Sequence, residues 1–393
     1  MSPMGGVKAE GRSVLHKPTR MSMERHNRRL HIALVAPSLR ILGGQSVQAD
    51  RLLKGWGDDP CVAAWLVPHD PLPCGPLGWS RSVKYVRTIV TEATYLPLLF
   101  RELKKADVVH VFSASYLSFL LAPLPAILIA RLLGRPVVLN YRSGEAPDHL
   151  HRSAIARWAL RRVARNVVPS RFLSDVFAQF GIASTIVPNL VLLDRFPYRV
   201  RVPLTPRLLS TRNFDALYNV SCTLRGFRLV QDRFPQASLT LVGGGPEEQR
   251  LKTLAASLGL NHVTFVGRVP PDDMPAYYDT HDLYVQTADI DNMPASILEA
   301  FASGLPVAAS EAGGVPAILR HREHGLLSPV GDHVALASNL LHLLDKPDQA
   351  RALAAAAHAT LADYTWPRVR EGWLEVYRSM IPAVAPGPAP VQA

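Results

Sequence analysis

The 393-residue chain is poor in cysteine, charge and aromatic rings, with three cysteines, 19% charged and 7% aromatic residues. Cys61, Cys74 and Cys222 are too few for a disulfide framework and show no paired metal-ligand spacing, so a reducing compartment is expected. The 48% hydrophobic share excludes wholesale disorder. The basic first 30 positions lack the apolar core of roughly 7–15 residues that a secretory signal peptide needs, which favours a cytoplasmic location. Zinc-finger spacing, a basic zipper and an aromatic single-strand platform are all missing, so nucleic acid is not an expected partner. The longest apolar stretch, residues 116–133, is interrupted by Pro123, Pro125 and Arg131 and falls short of the roughly 20 uninterrupted residues of a membrane span. It reads as a helix buried behind a sheet, with partial insertion at a membrane surface as the alternative.

What is present is a lopsided charge. The net charge of +11 divides into +14 for residues 1–200 and −3 for the remainder. With nucleic acid set aside, such an asymmetry suits an anionic membrane surface or phosphate-bearing small molecules. The basic helix expected around residues 155–165, with Arg152, Arg157, Arg161, Arg162 and Arg165, reads equally as a solvated face or as a contact for anionic lipid.

The length suits two domains. Residues 1–29 lack periodicity and read as a basic, disordered leader. From Leu30, short apolar runs alternate with helical periodicity: LHIALVAP, then Gly43-Gly44 opening a helix, then ADVVHVFSA, PVVLNYRSG, NVVPS and STIVPNL. After the Pro/Arg-rich stretch 195–207, which reads as an interdomain linker, a second series follows with LLSTR, SLTLVGGGP, HVTFVGRV, DLYVQTAD and LPVAAS as strands. Buried strands alternating with helices imply parallel sheets covered on both faces. The fold class is therefore α/β, two Rossmann-like doubly wound domains facing a cleft. Residues 30–200 form the first, residues 201–365 the second, 366–381 an amphipathic helix returning to the first, and 382–393 a Pro/Ala tail.

The most informative stretch is ADIDNMPASILEAFASGLPVAASEAGGVPAIL, residues 288–319. Pro294 suits the first position of a helix that stops at Gly304, and the free amides of its first turn form an anion site. Asp291 precedes that helix and Glu299 lies inside it, flanked by apolar residues that bury it unless something hydrogen-bonds it. A ligand hydroxyl pair fits that need. His110 and His281, at strand ends, read as structural histidines.

This run, with its acidic residues eight apart and GG-x-P at 313–316, resembles the signature of the retaining GT-B glycosyltransferases of family four. LVGGGPE, FVGRV, VPNLVLLDRF, VVPSRF, VVHVFS, GLLSPVGD and Gly43-Gly44 agree in order, and the similarity spans residues 30–380. The resemblance implies a nucleotide-sugar donor held by the second domain and an acceptor held by the first, with the acceptor a glycan, a lipid-linked group or a small hydroxyl compound. It gives Glu299 the ribose hydroxyls and Asp291 a place near the transferred sugar, where the family usually has the longer Glu. The diphosphate falls to the amides of Met293, Ala295 and Ser296 and to Arg212. The base falls to Gly267, Arg268 and Val269, and the donor phosphates or sugar approach Gly43 and Gly44.

Two departures matter. The family's lysine falls at Tyr218, and its histidine falls near Arg142, whose charge restores what is lost. Asp289-x-Asp291 resembles the metal-binding pair of another glycosyltransferase fold but sits inside the helix entry, so no metal is expected. Retaining phosphorylases share the fold, but their pyridoxal lysine has no evident counterpart. A protein of this shape that binds a nucleotide sugar without turnover is the alternative left open by the missing lysine and histidine.

Overall fold

The computed structural model describes residues 28–41, 43–71 and 84–381. Most of the expected leader, Cys74 and the tail from residue 382 lie outside them. Two six-stranded parallel sheets carry the chain. The first contains β1 (Leu30–Ala36), β2 (Val62–Pro68), β3 (Val108–Ser113), β4 (Val137–Tyr141), β5 (Arg165–Val168) and β6 (Thr185–Ile186) in the order β2-β1-β3-β4-β5-β6. The second contains β7 (Arg207–Ser210), β8 (Ser238–Val242), β9 (Val263–Gly267), β10 (Leu283–Gln286), β11 (Val307–Ser310) and β12 (Leu326–Ser328) in the order β12-β11-β10-β7-β8-β9. β3 (VVHVFS), β4 (VVLNY) and β11 (VAAS) show no alternation of buried and exposed residues because helices cover both faces, and these strands are buried throughout. The α/β reading with two doubly wound sheets holds.

In each sheet the strand order reverses once, between β1 and β3 in the first and between β7 and β10 in the second. Loops leaving neighbouring strands there part in opposite directions and open a crevice at the carboxyl ends, which is where such sheets bind ligands. Gly43 and Gly44 follow β1, and Arg212 follows β7. Gln45 reaches across the first crevice, its Nε2 donating to the Ser113 carbonyl at 2.9 Å.

Four apolar clusters fill the space between sheets and helices. One of them joins β1, β3 and the helix Gly44–Trp56 to the C-terminal helix Trp366–Arg378, which therefore packs on the first sheet. Trp366 meets Trp56 edge-on at 4.7 Å, and Gly55 is required beneath it because a Cβ there would lie 2.6 Å from the Trp366 ring. Arg370 pairs with Asp59. Tyr377 Oη is hydrogen-bonded to His110 Nδ1 at 2.8 Å.

Two local expectations are corrected. Residues 116–133 form two helices, Tyr116–Leu121 and Pro123–Leu132, because Pro123 lacks the N–H that would continue the first; they are not wholly buried, and Leu117, Leu128 and Leu132 are exposed. The basic helix is also divided. Ser153 ends the helix Ala146–Arg152 and caps the next, Ala154–Leu160, while Arg161 and Arg162 lie in a turn and Arg165 opens β5. The stretch 195–207 joins the two sheets, as expected of a linker, and is firmly seated. Arg201 is buried, with its guanidinium donating to the carbonyls of Ser303, Tyr278 and Arg199, and Arg199 pairs with Asp279 and Asp282.

Candidate active site

A cavity of about 380 Å³ lies between the two switch points. Asp291, Arg212, Arg142, Glu299, Met293, Ala295, Ser296, Gly43, Gly44, Arg268 and Val269 all line it, while Gly267 stands one residue back, at the end of β9 with φ +84°.

The second domain builds its wall from the helix entry. Pro294 takes the cap position instead of the first helical one, so the helix starts one residue later than expected and runs Ala295–Ala302 to Gly304, whose φ of +72° ends it. The first-turn amides have no partner within the helix, so the N-terminus presents partial positive charge to the cavity. The backbone before it is cradled by Gly313 and Gly314. A Cβ at Gly313 would lie 2.2 Å from the Asp291 carbonyl oxygen, and one at Gly314 2.0 Å from that of Asn292.

Asp291 is engaged on both oxygens. Oδ1 accepts from the Asn292 amide at 2.8 Å, and Oδ2 accepts from Arg212 Nη2 at 2.6 Å and from Gln286 Nε2 at 3.0 Å. The Arg212 guanidinium stacks on the Tyr218 ring at 4.0 Å, and its Nη1 reaches Ser296 Oγ at 3.4 Å. Burial opposes its charge, but Asp291, with Tyr218, Tyr284 and Tyr278 adding to it, outweighs burial and raises the pKa. Arg212 Nε is buried without a hydrogen-bond partner.

Glu299 is buried, as its apolar flanks require, but protein groups already satisfy it. Tyr278 Oη donates to Oε2 at 2.9 Å, and Arg51 of the first domain pairs with Oε1. Arg51 also donates to the Leu190 carbonyl at 3.0 Å, and Gln48 clamps the same residue through both its N–H and its C=O. Sequence reasoning missed Arg51, Gln48, Tyr278 and Gln286. The available signal was Gln48 and Arg51, three apart on one helix face and both buried among apolar neighbours.

Arg142 follows β4 and faces the cavity from the first domain. It hydrogen-bonds Asn189 Oδ1 and lies over Phe112 at 5.4 Å, with no carboxylate partner among the described residues. Burial, with the like charge of Arg51 second, lowers its pKa to about 9, which leaves it charged at neutral pH. Arg268, exposed at the rim, likewise has no carboxylate partner among the described residues. Asn189 also donates to the Met293 carbonyl at 2.6 Å, and Ser170 bonds Asn292, so the two domains are hydrogen-bonded across the cleft.

The remaining expectations have ordinary structural settings. Asp289 accepts from Asn219 Nδ2 at 2.7 Å, and no three His, Cys, Asp or Glu side chains converge as a metal site among the described residues. His110 is fully buried between Tyr377 and Asn140, and burial, with Arg142 second, lowers its pKa well below the usual value. His281 bonds the Tyr277 carbonyl and Thr240.

Two family models match the chain. The one described as glycosyl transferases group 1 matches residues 204–360, and the one described as glycosyltransferase family 4 matches residues 42–195. A GDP-mannose-dependent alpha-(1-6)-phosphatidylinositol monomannoside mannosyltransferase of Mycobacterium tuberculosis is 29% identical over 325 residues, 73% of this chain and 80% of the relative. A sulfoquinovosyl transferase of Arabidopsis thaliana is 25% identical over 351 residues, 80% of this chain and 66% of that protein. Among solved structures, a sucrose-phosphate synthase from Thermosynechococcus elongatus superposes with a TM-score of 0.71 at 20% identity, covering 90% of this chain and 99% of that one. The Anabaena protein HepE in complex with UDP and glucose gives 0.68 at 17% identity, covering 89% and 100%. The two models fall on the two sheets in turn, the solved relatives share the architecture over nearly their whole length, and the chain belongs to the family-4-like GT-B glycosyltransferases.

Proposed function

We propose that this glycosyltransferase is a retaining hexosyltransferase. It moves a sugar from a nucleoside-diphosphate donor to a hydroxyl of a glycan, lipid-linked or small acceptor. The observation that carries the reading is the convergence of Arg212, Arg142 and Arg268 with the N-terminus of helix Ala295–Ala302 at the facing switch points. Two of these arginines lack a carboxylate, and Arg212 Nε lacks any acceptor, so the cavity has unspent positive charge for a diphosphate. The GDP-mannose dependence in the mycobacterial relative's name and the UDP in the Anabaena complex support a nucleotide donor.

In this reading Arg212, the amides of Met293, Ala295 and Ser296, and Arg142 stabilise the departing diphosphate by fixed charge, and Gly43 and Gly44 let the donor approach the first domain. Neutralisation by arginine and backbone amides calls for no metal. Asp291 stands near the transferred sugar, Gly267, Arg268 and Val269 near the base. Glu299 receives the ribose hydroxyls, for which Arg51 must share or leave Oε1. A donor phosphate oxygen takes the acceptor's proton.

The acceptor side leans towards a membrane. No helix of the described residues is long and apolar enough to cross one. Exposed Leu132, Ile155 and Trp158 stand among Arg152, Arg161 and Arg162, and Arg131 donates to the Arg162 carbonyl at 2.8 Å, which brings the two segments together. That mixture suits peripheral attachment to an anionic, cytoplasm-facing leaflet. Co-sedimentation with phosphatidylglycerol vesicles, and its absence with phosphatidylcholine, is the expected result.

The primary test is thermal stabilisation by UDP, GDP, ADP and TDP, with Glu299→Ala as control. A rise with one nucleotide, lost in the variant, identifies the base; no rise with any refutes the donor reading. Proton NMR of the product's anomeric coupling, from an α-linked donor, tests retention.

A further inference from the structure

Three carboxylates line the cavity, and two are spoken for. Asp291 is tied to Arg212 and Glu299 to Arg51. Glu145, on the turn that follows β4, is the third, and among the described residues it has no cation partner. Among the described residues its only side-chain hydrogen bond comes from Ser143 Oγ, at 3.5 Å. Burial raises its pKa, Asp148 adds to the rise, and Ser143 only partly opposes it, so the carboxylate stands in surroundings that reward a new hydrogen-bond donor.

Position narrows what that donor is. Gly144, beside it, touches the opposite domain: a Cβ there would lie 3.0 Å from Ile290 Cγ2 and 3.2 Å from the Asp291 carbonyl carbon. The turn that carries Glu145 is therefore in contact with the Asp291 segment across the cleft, on the first-domain side. A second anion there repels a phosphate but accepts hydroxyl protons. Beyond it stands Tyr116, half in solvent, held at φ +54° with its hydroxyl donating to Asp148. A left-handed non-glycine residue is strained and persists only where the surroundings fix it. An aromatic face beside unspent carboxylate capacity is a surface for a neutral polyhydroxy ring.

We propose that Glu145 is an acceptor-binding residue, whose carboxylate accepts a hydrogen bond from a hydroxyl of a neutral pyranose or cyclitol ring at the reacting end of the acceptor. The proposal rests on the nucleotide-sugar reading above. It sets Glu145 apart from the donor groups, which answer to the diphosphate.

The test uses the full chain. UDP-glucose and GDP-mannose are each supplied with octyl α-D-mannopyranoside, octyl β-D-glucopyranoside or myo-inositol as acceptor probe, and release of nucleoside diphosphate is followed. At least one probe is expected to stimulate release by the wild-type protein. Glu145→Gln is expected to raise the KM for that probe at least tenfold, as loss of a hydrogen bond to a charged group predicts, with the donor KM within twofold. Glu145→Asp is expected to recover part of the loss, and a thermal midpoint near wild type establishes that both variants fold. An unchanged acceptor KM in Glu145→Gln, or a rise in donor KM instead, overturns the proposal while leaving the donor reading intact. A wild-type protein that binds nucleotide but is stimulated by none of the three probes overturns the neutral-ring assignment. One that binds no nucleoside diphosphate overturns the donor reading and this proposal with it.

Discussion

Replacing Arg51 by methionine leaves Glu299 without its cation in a place where the two side chains are only 6% and 11% exposed. At that depth solvent screens little, and removing one partner of a buried pair typically costs about 3–5 kcal/mol because the survivor is left charged and unpaired. Two features pull the value towards the lower end. Tyr278 still donates to Oε2 at 2.9 Å, and the pair bridges two domains, so opening the cleft lets water reach Glu299 and caps the loss at the free energy of opening. For a domain of this size, about 3 kcal/mol corresponds to a fall of roughly 6–12 °C in midpoint. The assay is a double-mutant cycle by thermal denaturation with Arg51→Met, Glu299→Gln and the combination. The double variant is expected to be more stable than Arg51→Met alone, since neutralising Glu299 removes the stranded charge. A midpoint for Arg51→Met within about 2 °C of wild type, or strictly additive effects, refutes the reasoning.

The same geometry supports further expectations. Gly243 has φ +154°, and a Cβ there would lie 2.0 Å from the Arg212 carbonyl oxygen, so Gly243→Ala should cost at least about 2 kcal/mol in urea denaturation and displace Arg212 as well. Gly144→Val should separate the domains at Ile290 and Asp291, lowering transfer at least tenfold while each domain's own stability changes by less than about 1 kcal/mol; small-angle scattering should show the opening. His110 is kept neutral by burial in the folded protein, whereas in the unfolded chain it takes up a proton below about pH 6.5. Its contribution is thus complete above that pH and lost as pH falls below it, by up to about 1.4 kcal/mol per pH unit. His149, whose pKa burial also lowers, acts in the same direction, and His110→Gln should flatten the slope between pH 6.5 and 5.5.

Much of this fold is written locally. Ten of the twelve strands among the described residues are short, largely apolar runs, most of them followed closely by glycine or proline, and their alternation with helices is enough for two parallel sheets. The two that escape notice are weakly marked. β2 lies at an edge with mostly half-buried residues and no clean alternation, and β12 is only three residues long. The division at Pro123 is plain in retrospect. A proline is welcome at the start of a helix and disruptive within one, and a long apolar run obscures which of the two applies.

The site divides differently. Everything in the second domain that faces the cavity is close in sequence to a feature with its own local cause: a strand end for Arg212, a helix entry for Asp291, Ala295 and Ser296. Those positions are legible because the backbone alone puts them there. Which side chain neutralises which is not, because the answer depends on how the domains dock. Arg51 and Glu299 are 248 residues apart, and neither helix specifies the other's rotation. The resemblance puts Asp291 beside a sugar and Arg212 beside a diphosphate, yet in the structure each is the other's partner. A donor that binds here must exchange those protein ion pairs for its own. The arginine that gains a phosphate then leaves its carboxylate free for hydroxyls, so occupation of the anionic and the hydroxyl subsites should be coupled rather than independent.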